Sequence, residues 1–138
     1  MEHKIFISCA GSDVGIVENL RDHLNRHGVT AWVYSVDQIL GEDIWEEIER
    51  KLRASDAMIF AVSHYTEKSE GQKRELDLVC NKIEPVAGIP KIVPIVLRDT
   101  PHSALPERLK HTNSAQLDAH NVKSVALKIA KQLFPEQL

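Results

Sequence analysis

Ala57-Met58-Ile59-Phe60-Ala61-Val62-Ser63 is an apolar run that gives way to polar residues. An earlier run, Lys4-Ile5-Phe6-Ile7-Ser8, breaks into a small polar loop, Cys9-Ala10-Gly11-Ser12-Asp13. Segments of helical period separate these runs. Val17, Leu20 and Leu24 form the apolar stripe of a helix over about residues 13–27, with Gly28 as its C′ residue. Thr30-Ala31-Trp32-Val33-Tyr34 reads as a second strand. Asp43 is placed to cap a second helix, with Glu46 at the reciprocal position and Ile44, Ile48 and Leu52 at helical spacing. Within it, Trp45-Glu46-Glu47-Ile48-Glu49 has one apolar and one charged face.

A third helix is expected over roughly residues 72–83, with Leu76, Val79 and Ile83 inward. Ile92-Val93-Pro94-Ile95-Val96-Leu97 reads as a fourth strand. Pro94 has no N–H for a ladder, which puts this strand near an edge or gives it a break. A short fifth strand is expected at about residues 115–117. A last helix carries Val122, Val125, Ala126, Ile129 and Leu133, the clearest stripe in the chain.

Strands alternating with helices imply a parallel sheet covered on both faces. Five strands in 138 residues predict a single flavodoxin-like α/β domain over 1–138, with strand order 2-1-3-4-5. Ligands in such sheets bind beyond the carboxyl ends of the strands, where the order reverses. Here that point lies between strands 1 and 3, at loops 9–13 and 63–71. Glu75, in Arg74-Glu75-Leu76 on the helix after strand 3, delivers a carboxylate there.

The bulk composition narrows the function. A net charge of −3 leaves no footprint for nucleic acid or an anionic membrane. Cys9 and Cys80 lack zinc-like spacing and fit thiols in a reducing compartment better than a disulfide. The opening Met1-Glu2-His3-Lys4 runs straight into a strand, without room for a signal peptide, and no apolar run reaches membrane-spanning length. A cytoplasmic protein is the expectation. Gly11-Ser12-Asp13-Val14-Gly15 lacks the lysine of a P-loop, which argues against ATP or GTP. Cys9 has no basic partner nearby in sequence to make it a nucleophile.

Ile5-Phe6-Ile7-Ser8, Gly28-Val29-Thr30-Ala31-Trp32-Val33, Gly41-Glu42-Asp43-Ile44, the run 57–63 and Glu75-Leu76 together resemble a Toll/interleukin-1 receptor (TIR) domain of bacterial type. The resemblance extends from Lys4 to about Leu133. It implies a flavodoxin-like sheet and a mobile "BB loop" over 35–43, with Ile39, Leu40, Gly41, Glu42 and Asp43 as assembly residues. Many members cleave NAD, releasing nicotinamide and leaving ADP-ribose or a cyclic variant. On this resemblance, the catalytic glutamate maps onto Glu75 and a base-stacking aromatic onto Trp32. The resemblance also makes the loop from Cys9 to Asp13 the nucleotide-facing loop, with Ser8, Cys9, Ala10, Gly11, Ser12 and Ser63 as expected substrate contacts. Two positions depart from the family pattern: Tyr34 stands where an aspartate is common, and Gly71 where a tryptophan is common.

The chemistry needs only one carboxylate. Ordinary glycosidases use two, one of them to protonate a poor leaving group. The nicotinamide of NAD is already cationic and leaves as a neutral base. An anionic group near the ribose then stabilises the electron-poor centre. NAD is thus a substrate, no cofactor is called for, and the lack of a G-x-G-x-x-G fingerprint agrees with that. Expected partners are NAD, further copies of the domain, and a fused or separate sensor.

Several readings stay open. The chain could be a non-catalytic TIR–TIR interaction module in signalling, or a nucleoside-processing enzyme of similar fold such as a deoxyribosyltransferase. Trp32 could be core as readily as ligand contact. Ser8 and Ser12 could be turn-formers, and His64 fits a loop surface.

Overall fold

In the computed structural model, residues 2–97 and 99–137 are described. Met1 of the opening segment lies outside them, as do residues 98 and 138. Five strands form one parallel sheet: β1 (His3–Ser8), β2 (Val29–Val33), β3 (Ala57–Val62), β4 (Lys91–Leu97) and β5 (Ala115–Leu117), in the order β2-β1-β3-β4-β5. This is the flavodoxin-like order expected from the sequence. Helices α1 (Val14–Arg26), α2 (Tyr34–Asp37), α3 (Ile44–Arg53), α4 (Glu70–Leu78) and α5 (Glu84–Ala87) lie between the strands, and α6 (Val122–Leu133) follows β5.

Alternation of side chains along the strands divides the core in two. Ile5, Ile7, Val29, Ala31, Ile59 and Ile95 face α1 and α6, where Leu20, Leu24, Val125 and Ile129 close the layer. Phe6, Met58, Phe60 and Val96 face α3 and α4, against Ile48, Leu52, Leu76 and Val79. Both faces of the sheet are therefore dry, as a parallel sheet requires. Burying a Leu, Ile or Phe side chain contributes about 1.5–3 kcal/mol, so these two layers supply most of the driving force.

The punctuation follows the sequence closely. Gly28 takes φ +78° after the last turn of α1, a left-handed conformation that costs glycine little. Asp43 caps α3 by accepting from the Glu46 backbone N–H at 2.9 Å. β5 pairs only with Ile95 to Leu97, so β4 forms the sheet edge up to Pro94, where a missing N–H is tolerated.

Four expectations need correction. The third helix does not run unbroken from 72 to 83. Ser69 caps it two residues earlier, accepting from the Gln72 N–H, and a π-helical turn over Val79–Ile83 interrupts it. Pro85, in the first turn of α5, has no N–H to continue an α ladder, which accounts for the wide turn before it. The segment 35–43 is not all loop, because Tyr34–Asp37 makes one helical turn. Ile44 is half exposed and does not line the core, whereas Glu47, read as part of the charged face, is 1 % exposed. Among the described residues no helix is long and apolar enough to cross a membrane.

Candidate functional site

The end of β1 and the first turns of α4 meet over the carboxyl ends of the strands. Ser8 is the last residue of β1, and its Oγ donates to Glu75 Oε1 at 2.7 Å. Glu75 is 7 % exposed. Burial pushes its carboxyl up to about 7, and the Ser8 hydrogen bond opposes part of that rise. Gln72, one turn earlier on α4, is 1 % exposed. Its Nε2 donates to Ala61 O at 2.6 Å and to Ser8 O at 3.4 Å, so it ties α4 to the ends of β1 and β3. Its Oε1 has no partner among the described residues.

Glu75 lies in the wall of a cavity of about 230 Å³. Cys9 and Gly11 border it from the loop after β1, and Val33 and Tyr34 from the end of β2. Helix α3 adds Ile44, Trp45 and Ile48; α4 and its cap add Ser69, Gly71 and Gln72. The cavity is thus displaced from the β1/β3 crevice toward β2. Mostly apolar walls around one carboxylate are features of a small-molecule binding site.

The residues singled out from the sequence separate into groups. Ser8, Cys9, Gly11 and Glu75 come together. Ala10 is buried and Ser12 exposed, and neither borders the cavity. Ser63 is engaged elsewhere: its Oγ donates to the buried Asp13 carboxylate and accepts from the Tyr65 N–H, and it borders a different cavity with His64. Trp32 is also not brought to Glu75. Its ring packs on Phe6 at 5.2 Å and lines a cavity with Lys4, Thr30 and Lys51 toward the amino ends of the strands. Burial, then the nearby carboxylates of Asp13 and Glu75, pushes the Cys9 thiol up to about 12, so it is protonated at neutral pH. A protonated thiol is a poor nucleophile. His64 is exposed beside Tyr65. No three His, Cys, Asp or Glu among the described residues cluster to hold a metal ion.

Sequence reasoning missed Trp45, Gln72 and Glu47. Trp45 stands three and seven residues before Ile48 and Leu52, a helical spacing that places it on the inward stripe. Gln72 is three residues before Glu75 and therefore shares its face.

The segment 35–43 is held near its middle, at Asp37 and Ile39. The Val33 N–H donates to Asp37 Oδ2 at 2.8 Å, and Asp37 also pairs with Arg21. The Ile39 N–H donates to Glu47 Oε2 at 3.0 Å. Just beyond Ile39, Leu40 is 87 % exposed and Gly41 takes φ +88°. Glu47→Ala is expected to destabilise the protein by about 1–3 kcal/mol, the range for a lost buried partner. It is also expected to accelerate amide exchange across 38–43. Hydrogen–deuterium exchange checks this; unchanged protection there would mean the loop does not depend on Glu47.

A family model described as TIR domain matches residues 5–133. No curated protein sequence matches the chain. Among solved structures, the TIR domain of the Toll-related receptor TRR-2 from Hydra magnipapillata is similar over 96 % of each chain, with 21 % identity and a TM-score of 0.70. A metazoan TIR-STING receptor from C. gigas, in complex with 2',3'-cGAMP, is similar at 20 % identity and a TM-score of 0.73. That match covers 95 % of this chain and 40 % of the receptor. The TIR domains of the activated Roq1 resistosome, which recognises the pathogen effector XopQ, give 17 % identity and a TM-score of 0.65, covering 95 % of this chain and 72 % of that one.

Proposed function

The chain belongs to the TIR-domain family, and from that premise we propose that it cleaves NAD at the nicotinamide–ribose bond. The observation that carries this reading is Glu75: a buried carboxylate, held by Ser8, in the wall of an apolar cavity beyond the carboxyl ends of the strands. The C1′–N bond breaks with its electron pair passing to nicotinamide, which departs neutral. Ionised Glu75 stabilises the ribosyl cation that remains. Water captures that cation and loses a proton, giving ADP-ribose, or an adenine nitrogen of the same molecule captures it and gives a cyclic product. Ser8 holds one carboxylate oxygen, which leaves the other for a ribose hydroxyl. The role is signalling or immune, in the cytoplasm, with activity governed by assembly.

Assembly enters through size. A cavity of about 230 Å³ falls below the roughly 300–1,000 Å³ of ligand pockets, so it takes the nicotinamide riboside end and leaves the adenylate half outside. Beside it, Ile39, Leu40 and Ile44 are exposed and apolar, a surface suited to a second copy that covers the other half. These same residues favour a second reading, a non-catalytic module that only self-associates.

One experiment separates the two. Concentrated protein is incubated with NAD, nicotinamide is measured by chromatography, and particle size is read across a dilution series. Turnover per molecule is expected to rise with concentration, and Leu40→Asp is expected to blunt that rise without unfolding the domain. Association without nicotinamide release would leave the interaction module. Constant turnover from monomer to oligomer would mean that each subunit carries a complete site.

A further inference from the structure

The cavity at Glu75 has an aromatic wall that the strands do not supply. Trp45 comes from the first turn of α3 and is partly buried against the cluster around Phe6, Ile48 and Leu76. The Arg74 guanidinium carbon sits 3.9 Å from the centroid of its ring, well inside the range for attraction between a cation and an aromatic face. Trp45 lines the cavity and Arg74 does not. The guanidinium thus covers one face of a ring that also borders the cavity. Arg74 adjoins Glu75 in sequence, so this contact fixes the ring of α3 relative to the carboxylate of α4.

Gly71 opens the same cavity on the α4 side. A Cβ placed there meets no heavy atom within 4 Å, so the space beside the first turn of α4 is unoccupied by protein. An indole ring, an open stretch of helix backbone and a carboxylate thus border one volume. The indole and the open backbone favour a flat ring, and the Glu75 carboxylate favours positive charge on it. We propose that Trp45, backed by Arg74, is the ring-binding residue of this site, and that it stacks a cationic heteroaromatic ring in the space left by Gly71. This rests on the NAD reading, in which that ring is the nicotinamide.

The chain contains two tryptophans, Trp32 and Trp45, so each can be made the sole fluorescent reporter. The probe is 1-methylnicotinamide, a flat cation with no ribosyl bond to cleave. In a Trp32→Phe protein, where Trp45 alone emits, quenching is expected to saturate with probe concentration. In a Trp45→Phe protein, where Trp32 alone emits, only linear collisional quenching is expected. Gly71→Leu added to Trp32→Phe is expected to abolish saturation while the melting curve stays cooperative. In the otherwise unaltered chain, Trp45→Ala is expected to raise KM for NAD by about 3- to 30-fold with kcat changed far less. Linear quenching of Trp45, matching that of Trp32, overturns the proposal. Nicotinamide release is measured on the same preparations. Release without saturable quenching removes Trp45 from the site and leaves NAD cleavage standing. Saturable quenching without release keeps the ring site and removes the cleavage.

Discussion

Glu75→Gln is expected to lose NAD cleavage by about 10²–10³-fold, the usual cost of removing one electrostatic stabiliser from a transition state. Gln keeps the shape and still accepts from Ser8, so the loss isolates the charge. The same variant is expected to be more stable than the parent in alkaline solution. Burial raises the Glu75 carboxyl from 4.5 to about 7. Below about pH 4.5 the group carries a proton whether the chain is folded or not, and burial costs little. Between about 4.5 and 7 the unfolded chain releases that proton while the folded chain keeps it, so stability falls as pH rises. Above 7 the cost is complete, on the order of 3 kcal/mol.

Gln carries no such penalty. Its melting temperature is therefore expected to exceed the parent's at pH 8, with the gap closing toward pH 4.5. Turnover by the parent runs the other way. In the proposed mechanism the ionised form stabilises the cation, so activity is expected to rise with pH through an apparent pKa near 7. Thermal melts and nicotinamide release at pH 5, 7 and 8 check both halves. Parent-like turnover in Glu75→Gln would remove the catalytic role. A stability gap independent of pH would mean that no buried charge sits there.

Much of this molecule can be read from periodicity alone. Strands alternate with helices that bury one stripe, and five apolar runs in that alternation match the flavodoxin-like order. Val17, Leu20 and Leu24 are buried as their spacing requires, and so are Val122, Val125 and Ile129. Periodicity fails where a polar residue is buried for a local reason. Glu47 lies among charged neighbours in sequence, yet it turns inward because the chain before α3 folds back and presents the Ile39 N–H to it. Asp13 is buried because Ser63, fifty residues away, donates to it. No spacing rule encodes such partners.

The site was legible to the same limit. Glu75 could be placed from topology, since a helix that follows strand 3 starts beside the end of strand 1. The wall opposite could not, because it depends on how α3 and α4 lean together. An aromatic on a strand and an aromatic on a helix look alike in sequence. Only packing assigns Trp45 to the cavity and Trp32 to the amino end of the sheet.

That distinction sets the second large effect. Trp32→Ala is expected to cost about 3 kcal/mol of stability, the lower end for truncating a buried aromatic, because the ring is only partly buried. In a domain of this size that lowers the melting temperature by roughly 10 °C. The indole packs against Phe6 at 5.2 Å and Tyr34 at 6.0 Å, and the Lys51 amine lies 5.7 Å from its centroid. Alanine reaches none of these neighbours. Trp32→Phe keeps an aromatic against Phe6 and is expected to lose about half as much or less. Kinetics well below the melting point are the informative part. Tyr34 borders the Glu75 cavity and touches Trp32, so a modest fall in kcat is consistent with a loosened wall. KM for NAD should hold, because the ring we propose to meet the substrate is Trp45. A Trp32→Ala protein that melts like the parent but shows a raised KM would instead put the dinucleotide against the amino end of β2, and the Glu75 cavity would lose its claim as the ring site.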